Sequence, residues 1–409
     1  MPTLLPPTDP DAALSPGIAP EPDLPPLIFG DPGSFASGVM RQRHPALIDQ
    51  IRAAHPYGPT QIAALDRLRD EAIGAPMQPL DPAPDSETWA VWGADHFGKP
   101  WAQAPFLWAE SYFYRRLLDA VDFFTPGPWY WIDPFTHLKT AELRDPTLEA
   151  ELAALGHLRD LPPQTRTEAL LLASLWGNRA DLGFRIGVEA AAGNHHDAAG
   201  LIADDTTPVL ASLHTGPQPV AVIADNAGRE LLADLILIDH LLDQHDGTTV
   251  ELHVKPTPYY VSDATTADVV ACLRRLADTP GASTAIAGRL QTAMGNGRLV
   301  LRTHWFYCAP YSFHHAPADL TQMWKPDALV LLKGDLNYRR LVGDRRWTPT
   351  APFSLAAGYF PSPIAALRTL KSQVVVGLHA KTVQDLNDQD PAWRTNGSRG
   401  TVQFLTRTM

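Results

Sequence analysis

Apolar positions recur at two different spacings along this chain, and the spacing changes near residue 200. Before that point, apolar side chains recur every three to four residues, in Gln61–Ile73, in the aromatic-rich Trp101–Phe124 and in Glu168–Trp176. This spacing places apolar side chains on one face of a helix. The pattern therefore predicts a mainly helical domain over residues 28–200.

From about residue 205 the apolar residues fall instead in short runs that are rich in β-branched residues. Helical patterns at Glu230–Leu242 and Thr265–Leu276 separate several of these runs. Strands that alternate with helices form a mostly parallel sheet with helices on both faces. We predict a three-layer α/β domain over residues 201–409, with strands at Pro219–Ala224, Thr249–Val254, Leu299–Tyr307, Ala328–Leu332 and Gln373–Leu378.

The first 27 residues are rich in proline and contain few large apolar side chains. Proline fixes its own backbone angle and lacks an amide donor, so such a segment favours extended chain over helix or strand. We predict that residues 1–27 form a disordered or extended tail.

The balance of charge limits the partners of this protein. The 409 residues carry a formal net charge of −12 at pH 7, and the isoelectric point is near 5.6. Nucleic acids and anionic membranes bind basic faces, so neither is expected as a partner, whereas a small anionic substrate needs only local cations. The only cysteines, Cys272 and Cys308, argue against a disulfide framework. The N-terminus lacks a secretory signal and no apolar run has membrane length, so we expect a cytoplasmic protein.

Polar residues follow the predicted strands directly. Asp225 and Asn226 come after the strand at 219–224, and Asp263 follows the region of the next strand. At a strand-to-helix turn neighbouring oxygens can converge, although each of these residues could instead cap the helix that follows. Two carboxylates and an amide oxygen form the all-oxygen set that hard divalent ions such as Mg²⁺ or Mn²⁺ favour. The sequence therefore predicts a divalent-metal site.

A second polar segment follows the apolar run at 328–332. Charged and amide groups are costly to bury without partners, so at the carboxyl end of a strand they are expected to line a ligand crevice. Further on, Arg368 and Lys371 have a spacing that suits phosphate oxygens, or else they form a solvated face. The polar residues of the second segment are Lys333, Asp335, Asn337, Arg339 and Arg340.

These segments resemble those of the metal-dependent damage-control phosphatases, formerly the domain-of-unknown-function 89 family. The similarity runs through nearly the whole chain after residue 33, and Arg368–Lys371 is similar to the RTxK motif of the subfamily that includes the acidic residue methyltransferase-like proteins. The resemblance implies a helical N-terminal domain packed on a Rossmann-like α/β domain. The other matching segments are Gly33–Ala36, Trp108–Arg116, Ser174–Leu182, Asp225–Leu231, Val261–Thr266 and Lys333–Asp344.

The resemblance also implies roles for individual residues. Asp225, Asn226 and Asp263 would hold the metal ion, and Asp225 and Asp335 are the candidate catalytic carboxylates. Manganese is the favoured ion, with Co²⁺, Ni²⁺ or Mg²⁺ as alternatives. The substrate would contact six residues, namely Asp335, Leu336, Asn337, Tyr338, Arg339 and Lys371.

We therefore expect a divalent-metal-dependent phosphatase that hydrolyses small phosphometabolites, and the resemblance implies fructose 1-phosphate or fructose 6-phosphate as substrates. Lys371 and Arg339 would neutralise phosphate charge, and the helix after Asn226 would add its positive end. Attack by water and attack by a carboxylate of Asp225 or Asp335 both stay open at this point.

Two other functions use the same residues. The subfamily has been assigned adenosylmethionine-dependent methylation of the carboxyl groups of protein glutamate. Glu230 matches a position assigned to adenosylmethionine contact, and Arg368 is expected beside the site. Methyl transfer needs no metal, and the chain lacks a glycine-rich cofactor loop, which weighs against this function. The remaining alternative is a family member repurposed for a biosynthetic reaction.

Overall fold

The computed structural model describes residues 6, 17–158, 160–177, 200–324 and 328–406. The strands in these residues are β1 (Leu201–Asp204), β2 (Pro219–Ile223), β3 (Thr249–Val254), β4 (Leu299–Thr303), β5 (Leu329–Lys333), β6 (Ile364–Thr369) and β7 (Gly400–Leu405). They form a seven-stranded sheet in the order β1-β7-β6-β5-β2-β3-β4. All neighbouring pairs are parallel except β6 and β7. The predicted α/β class with a mostly parallel sheet is confirmed.

The helices of the described residues are numbered in chain order. A π-helix, Val39–Arg43, connects the first two of them, and 3₁₀ turns lie at Trp101–Gln103, Trp305–Cys308 and Phe313–His315. The α-helices are α1 (Phe35–Gly38), α2 (His44–Ala54), α3 (Pro59–Gly74), α4 (Ser86–Trp92), α5 (Phe106–Ala120), α6 (Thr136–Leu143), α7 (Pro146–Leu158), α8 (Pro163–Trp176), α9 (Thr206–Leu213), α10 (Gly228–Gln244), α11 (Thr266–Ala277), α12 (Ala282–Gly295), α13 (Ala318–Met323), α14 (Asp335–Val342), α15 (Phe353–Ala357) and α16 (Ala380–Gln389). Among them, no helix combines the length and apolar character needed to cross a bilayer.

The strand predicted at Gln373–Leu378 is wrong, because these residues form irregular chain. Their backbone groups bond to side chains and to the main chain of residues 349–351, not to a neighbouring strand. The Val374 carbonyl accepts from Arg368 over 2.6 Å, and the Val376 carbonyl accepts from Gln403 over 2.9 Å. The valines are buried, so the apolar run belongs to the core without being a strand.

The position of β2 in the sheet creates a crevice. From β2 the chain continues to β3 and β4 on one side, whereas β5 and β6 lie on the other. The helix after β2, α10, packs on one face of the sheet, and the helix after β5, α14, packs on the other. Where the connections that follow two neighbouring strands run to opposite faces of the sheet, the carboxyl ends of these strands flank a ligand crevice.

Side chains alternate along the central strands and feed two separate cores. Ala221 and Ile223 face a core built with residues of α1–α5. Val220 and Val222 face the opposite core, built with residues of α7, α8 and α10–α12. Helices from the first half of the chain therefore cover both faces of the sheet. The division into a helical domain at 28–200 and an α/β domain at 201–409 remains a prediction.

The described part of the proline-rich tail is extended and bonded to two other segments. The Leu27 amide donates to the Asp344 carbonyl over 3.0 Å, and the Leu27 carbonyl accepts from the Phe106 amide over 2.8 Å. Glu21 forms an ion pair with Arg345. Residues 1–5 and 7–16 lie outside the described residues.

A buried ion pair joins the helices of the first core, and its removal is the clearest test of that packing. Arg115 binds both carboxylate oxygens of Asp85, with a shortest contact of 2.6 Å. Asp85→Ala would leave the guanidinium buried without this partner, so we expect the free energy of unfolding to fall by about 3–5 kcal/mol. Urea denaturation measures this loss, with the exposed Asp70→Ala as control. A loss below about 1 kcal/mol would contradict the assigned role.

Candidate functional site

A cleft of about 690 Å³ opens at the carboxyl ends of β2 and β5. Loops after β2, β3 and β6, with the first turn of α14, form one side, and α1, the π-helix, α2, α5 and α6 form the other. This is the location at which open α/β sheets bind ligands. Seven of the predicted site residues line the cleft, namely Asp225, Asn226, Asp263, Asp335, Leu336, Arg339 and Lys371.

The segments that follow β2 and β3 are joined by their main chains beside this cleft. Asn226 and Asp263 form an isolated antiparallel bridge, and the Ala264 amide donates to the Asp225 carbonyl over 2.8 Å. Main-chain bonds therefore hold the two acids and the amide next to each other, so the sequence prediction that they converge agrees with the geometry.

Asp225 is buried with one carboxylate oxygen unsatisfied. Its Oδ1 atom has no hydrogen-bond partner among the described residues, and the Lys255 ammonium lies 3.7 Å away. Burial raises the pKa of Asp225 to about 8; Lys255 opposes the rise, and the carboxylates of Asp263 and Glu230 add to it. An unsatisfied buried oxygen is unfavourable. The atom therefore fits a position that a bound cation would complete.

The donor set suits a hard divalent cation, because it contains only oxygen donors from Asp225, Asp263 and Asn226. The Asn226 Oδ1 atom accepts from the Ser262 hydroxyl over 2.6 Å, and its Nδ2 atom donates to Glu230 over 2.9 Å, which fixes the orientation of the amide. Within the described ranges, no group of three His, Cys, Asp or Glu side chains forms a metal-binding cluster. An ion here would therefore rely on two carboxylates and an amide.

Gly334 allows the end of β5 to approach Asp225 closely. Its φ angle is +83°, and a Cβ atom at this position would lie 1.9 Å from Asp225 Oδ2. Backbone conformation and lack of space both restrict the position to glycine.

Asp335 connects the end of β5 to the Arg368–Lys371 segment. Its Oδ1 atom accepts from Arg368 Nε over 2.8 Å and from the Lys371 amide over 2.9 Å. Burial by itself would raise the pKa of Asp335, but Arg368 and Arg339 outweigh burial and hold the pKa below its usual value. The carboxylate therefore stays ionised and fixes the main chain of Lys371 at the edge of the cleft.

Two cleft cations, Lys371 and Arg43, form no ion pair with any residue that the structure describes. Lys139 also lines the cleft, but it is paired with Asp133 and Asp268 at 2.9 and 3.0 Å. Arg43 belongs to the π-helix, a conformation that is often found at functional sites. Lys371 and Arg43 are therefore the cations with charge available for an anionic ligand.

Arg339 lines the cleft, but carboxylates of the protein already match its charge. Its Nη1 atom donates to Glu110 over 2.7 Å, and Nε and Nη2 donate to Asp344 over 3.1 and 2.8 Å. The guanidinium also lies 4.2 Å from the centre of the Phe106 ring. Because Glu110 and Phe106 belong to α5, this network joins the helical wall to α14.

Two residues that were expected to touch substrate do not line the cleft. Asn337 is fully buried, and its amide donates to the carbonyls of Ala224 and Lys333 over 3.0 and 2.9 Å, which ties β2 to β5. The Tyr338 hydroxyl donates to Gln403 over 2.9 Å. Both residues lie beneath the site, and substrate contact by them stays a prediction.

Three charged residues of the predicted motifs also lie outside the lining of the cleft. Lys333 donates to Asp234 over 2.8 Å and lies 3.4 Å from Glu230. Arg340 donates to three main-chain carbonyls, with distances of 2.7 to 2.9 Å. Arg368 is fully buried and bonds carbonyls of its own loop. These side chains stabilise the fold around the site.

The amino-terminal end of α10 is occupied by a carboxylate of the protein itself. The Arg229 amide donates to Glu142 Oε2 over 3.3 Å, and a Cβ atom on Gly228 would lie 1.9 Å from the same oxygen. The positive helix end that was expected to face phosphate is thus already matched by Glu142.

The cleft contains residues that the sequence pattern does not single out. Arg43, Tyr114 and Glu142 line it from the helical side, and Lys255 lies beside the two acids. A tyrosine in an aromatic helix or a lysine after a strand has the same pattern as an ordinary packing or surface residue. Only the folded chain brings these side chains to the site.

An open α/β sheet with acids, an amide and cations in a cleft at its switch point is the arrangement of an α/β enzyme. The profile of the damage-control phosphatase ARMT1-like domain matches residues 39–386 of this chain. The chain therefore belongs to the damage-control phosphatase ARMT1-like family, a family of phosphatase enzymes that are generally dependent on a divalent metal.

Two curated relatives agree with this assignment. Damage-control phosphatase ARMT1 of Danio rerio is 29% identical over 430 aligned positions, which cover 91% of this chain and 95% of the relative. The Rattus norvegicus protein of the same name is 30% identical and covers 91% and 97% of the two chains. A DUF89 family protein from Pyrococcus horikoshii superposes with a TM-score of 0.48 at 13% identity, covering 89% of this chain and 95% of its own.

Gly334→Ala is expected to disrupt the site, because the added methyl group would collide with Asp225. Gly98→Ala is a matched control, since Gly98 has a φ of +78° and open space around it. We expect Gly98→Ala to lower the free energy of unfolding by about 1 kcal/mol. Gly334→Ala should lower it by about 2 kcal/mol more and should also abolish divalent-ion binding. Urea denaturation and titration calorimetry measure the two effects. Equal losses in both variants would argue against the collision.

His44 lines the cleft and is buried, which is unfavourable for a polar ring. It stacks on Phe113 with ring centroids 3.6 Å apart, and neither ring nitrogen has a partner within the described part of the chain. Burial, with a smaller effect of Arg43, lowers the pKa of His44 to about 3. The folded protein therefore keeps this imidazole neutral.

His44→Phe is expected to stabilise the protein, and to do so more in acid. In the unfolded chain His44 is protonated below about pH 6.5, whereas in the folded protein it is protonated only below about pH 3. The unaltered protein therefore loses stability as the pH falls from 6.5 towards 3. Urea denaturation should show a gain that is about 1–2 kcal/mol larger at pH 5 than at pH 8. His157→Phe, at an exposed position, controls for the added ring. A gain that is independent of pH would show that His44 is not held neutral.

Proposed function

We propose that this chain is a divalent-metal-dependent phosphatase for small sugar phosphates, such as fructose 1-phosphate or fructose 6-phosphate. The observation that supports it best is the meeting, in one cleft, of an all-oxygen donor set with Lys371, which forms no ion pair with a residue that the structure describes. The family supports the reaction class. The geometry supports a metal ion beside a cation that can bind phosphate.

In this proposal Asp225, Asn226 and Asp263 hold the ion, with Mn²⁺ as the first choice and Co²⁺, Ni²⁺ or Mg²⁺ as alternatives. The bound ion would supply Lewis-acid polarisation of the phosphoryl group and offset charge on its oxygens. The unsatisfied Asp225 Oδ1 atom supports this role. The raised pKa of Asp225 implies that ion binding releases a proton near neutral pH.

Lys371 would neutralise the phosphate oxygens that face away from the ion. Asp335 would keep Lys371 in place, since it accepts the Lys371 amide. Arg339 is matched by Glu110 and Asp344, so it would contribute directed hydrogen bonds rather than net charge.

Water is the proposed nucleophile. Asp335 has a lowered pKa and two donors on one oxygen, which makes it a weak attacking group and a stable acceptor for orienting water. Asp225 would be engaged with the ion. Both acids thus take part without forming a covalent intermediate.

The sugar would face two tyrosines, Tyr114 on α5 and Tyr260 in the loop after β3. Tyr114 and Tyr260 line the cleft with ring centroids 4.5 Å apart. Burial raises the pKa of both phenols well above the usual range, so they stay protonated and can donate to sugar hydroxyls.

The methyltransferase alternative has less support. Glu230, the position that resembles the adenosylmethionine contact, is buried outside the lining of the cleft and bonds Asn226 and Lys333. A cofactor would need to displace these bonds to reach it.

A screen of ions against substrates tests the proposal. Ion-free protein would be mixed with each of the four ions and with fructose 1-phosphate, fructose 6-phosphate or p-nitrophenyl phosphate, and phosphate release would be measured. We expect release only with an ion, and a higher kcat/KM for the fructose phosphates. Calorimetry with adenosylmethionine runs in parallel. No release under any condition, with tight adenosylmethionine binding, would replace the proposal by the methyltransferase alternative.

Asp263→Asn is expected to lower phosphate release on the order of 100-fold or more, because it removes one anionic ligand while keeping the size of the side chain. Circular dichroism should show an intact fold. Asp49→Asn, at a carboxylate with 66% of its surface exposed, is the control. Full activity of Asp263→Asn would place the metal site elsewhere.

A further inference from the structure

A lysine is buried beside the proposed metal ligands. Lys255 follows β3 directly and is 1% exposed. Its ammonium donates to the Ala224 carbonyl over 3.1 Å and lies 3.7 Å from Asp225 Oδ1 and 4.0 Å from Asp263 Oδ1. A buried cation requires compensating charge, and these two carboxylates provide it.

The main chain fixes this lysine relative to the acids. The Lys255 amide donates to the Ala264 carbonyl over 2.9 Å, and Lys255 forms an isolated parallel bridge with Thr265. The loop that carries Asp263 therefore also holds Lys255. Lys255 is absent from the lining of the cleft, so it can contact the two acids but not a ligand in the cleft.

The net charge of the group formed by Asp225, Asp263 and Lys255 depends on the lysine. With both carboxylates ionised, Asp225, Asp263 and Lys255 carry one net negative charge, and a divalent ion would change it to one net positive charge. Without the lysine, the loaded group would be neutral. A phosphate ester is an anion and is attracted only by the positive group.

We propose that Lys255 is a positioning residue with two effects, an inference that rests on the proposed metal site. Without an ion, and with both carboxylates ionised, its ammonium holds Asp225 and Asp263 together against their mutual repulsion. With an ion bound, it weakens the affinity for the ion but strengthens the affinity of the loaded site for phosphate.

Lys255→Met tests both effects, since methionine keeps the length of the side chain and removes the charge. We expect Mn²⁺ to bind about tenfold more tightly and inorganic phosphate to bind the Mn²⁺-loaded protein about tenfold more weakly. The melting temperature without ion should fall, and the rise caused by Mn²⁺ should grow. Titration calorimetry and thermal unfolding with and without Mn²⁺ measure these quantities without any substrate turnover.

Lys139→Met is the matched control, because Lys139 is also buried between two carboxylates, neither of which is a proposed metal ligand. It should lower the melting temperature equally with and without Mn²⁺ and leave the Mn²⁺ affinity unchanged. Should Lys255→Met unfold without ion, Mn²⁺ is expected to restore folding, and Lys255→Gln repeats the test.

Two results would show that Lys255 only packs and would overturn the inference. The first is that Lys255→Met destabilises the protein equally with and without Mn²⁺. The second is that its affinity for Mn²⁺ is unchanged or weaker. The same holds if Mn²⁺ restores neither variant. Failure of the proposed function is recognised separately, because the unaltered protein would then bind no divalent ion.

Discussion

The site depends on the close approach of two strand ends, β2 and β5, at the point where the chain changes direction across the sheet. Gly334 leaves just enough room for the Asp225 carboxylate, and Asn337 binds carbonyls on both strands. This contact brings two groups of polar residues, far apart in sequence, into one cleft. It also buries them, which forces nearly every charged group to find a partner within the protein.

The residues of the Lys333–Arg340 segment accordingly fall into two sets. Asp335, Leu336 and Arg339 line the cleft, whereas Asn337 and Arg340 point into the protein and bond main-chain carbonyls. The lining residues are spaced as one face of a helix, because the segment from Asp335 is α14. Treating the motif only as the end of a strand could not predict these two faces, because side chains alternate at every second residue along a strand but not along a helix.

The sequence indicated β2, β3, β4 and β5 because each carries a short apolar run. It did not indicate β1, β6 and β7, which lie on the side of β5 away from β2. The valines at 374–376 misled the prediction because burial alone does not distinguish a strand from irregular core chain. The ligand set Asp225, Asn226 and Asp263 was visible as residues that follow strands. The helical wall was not, because Arg43 and Tyr114 acquire their position only through packing of α1–α5 on the sheet.

The charges of the lining explain why this cleft would need an ion to bind phosphate. Five carboxylates and four cations line it, so with all of them ionised and without an ion the cleft would repel a phosphate group slightly. Arg339 is already matched by Glu110 and Asp344, and the α10 end by Glu142. Among the lining residues that the structure describes, only Lys371 and Arg43 are cations without an ion-pair partner. A divalent ion would reverse the balance at the one place where a buried carboxylate oxygen lacks a partner. In this arrangement metal dependence follows from the charge of the cleft as much as from the chemistry of phosphate transfer.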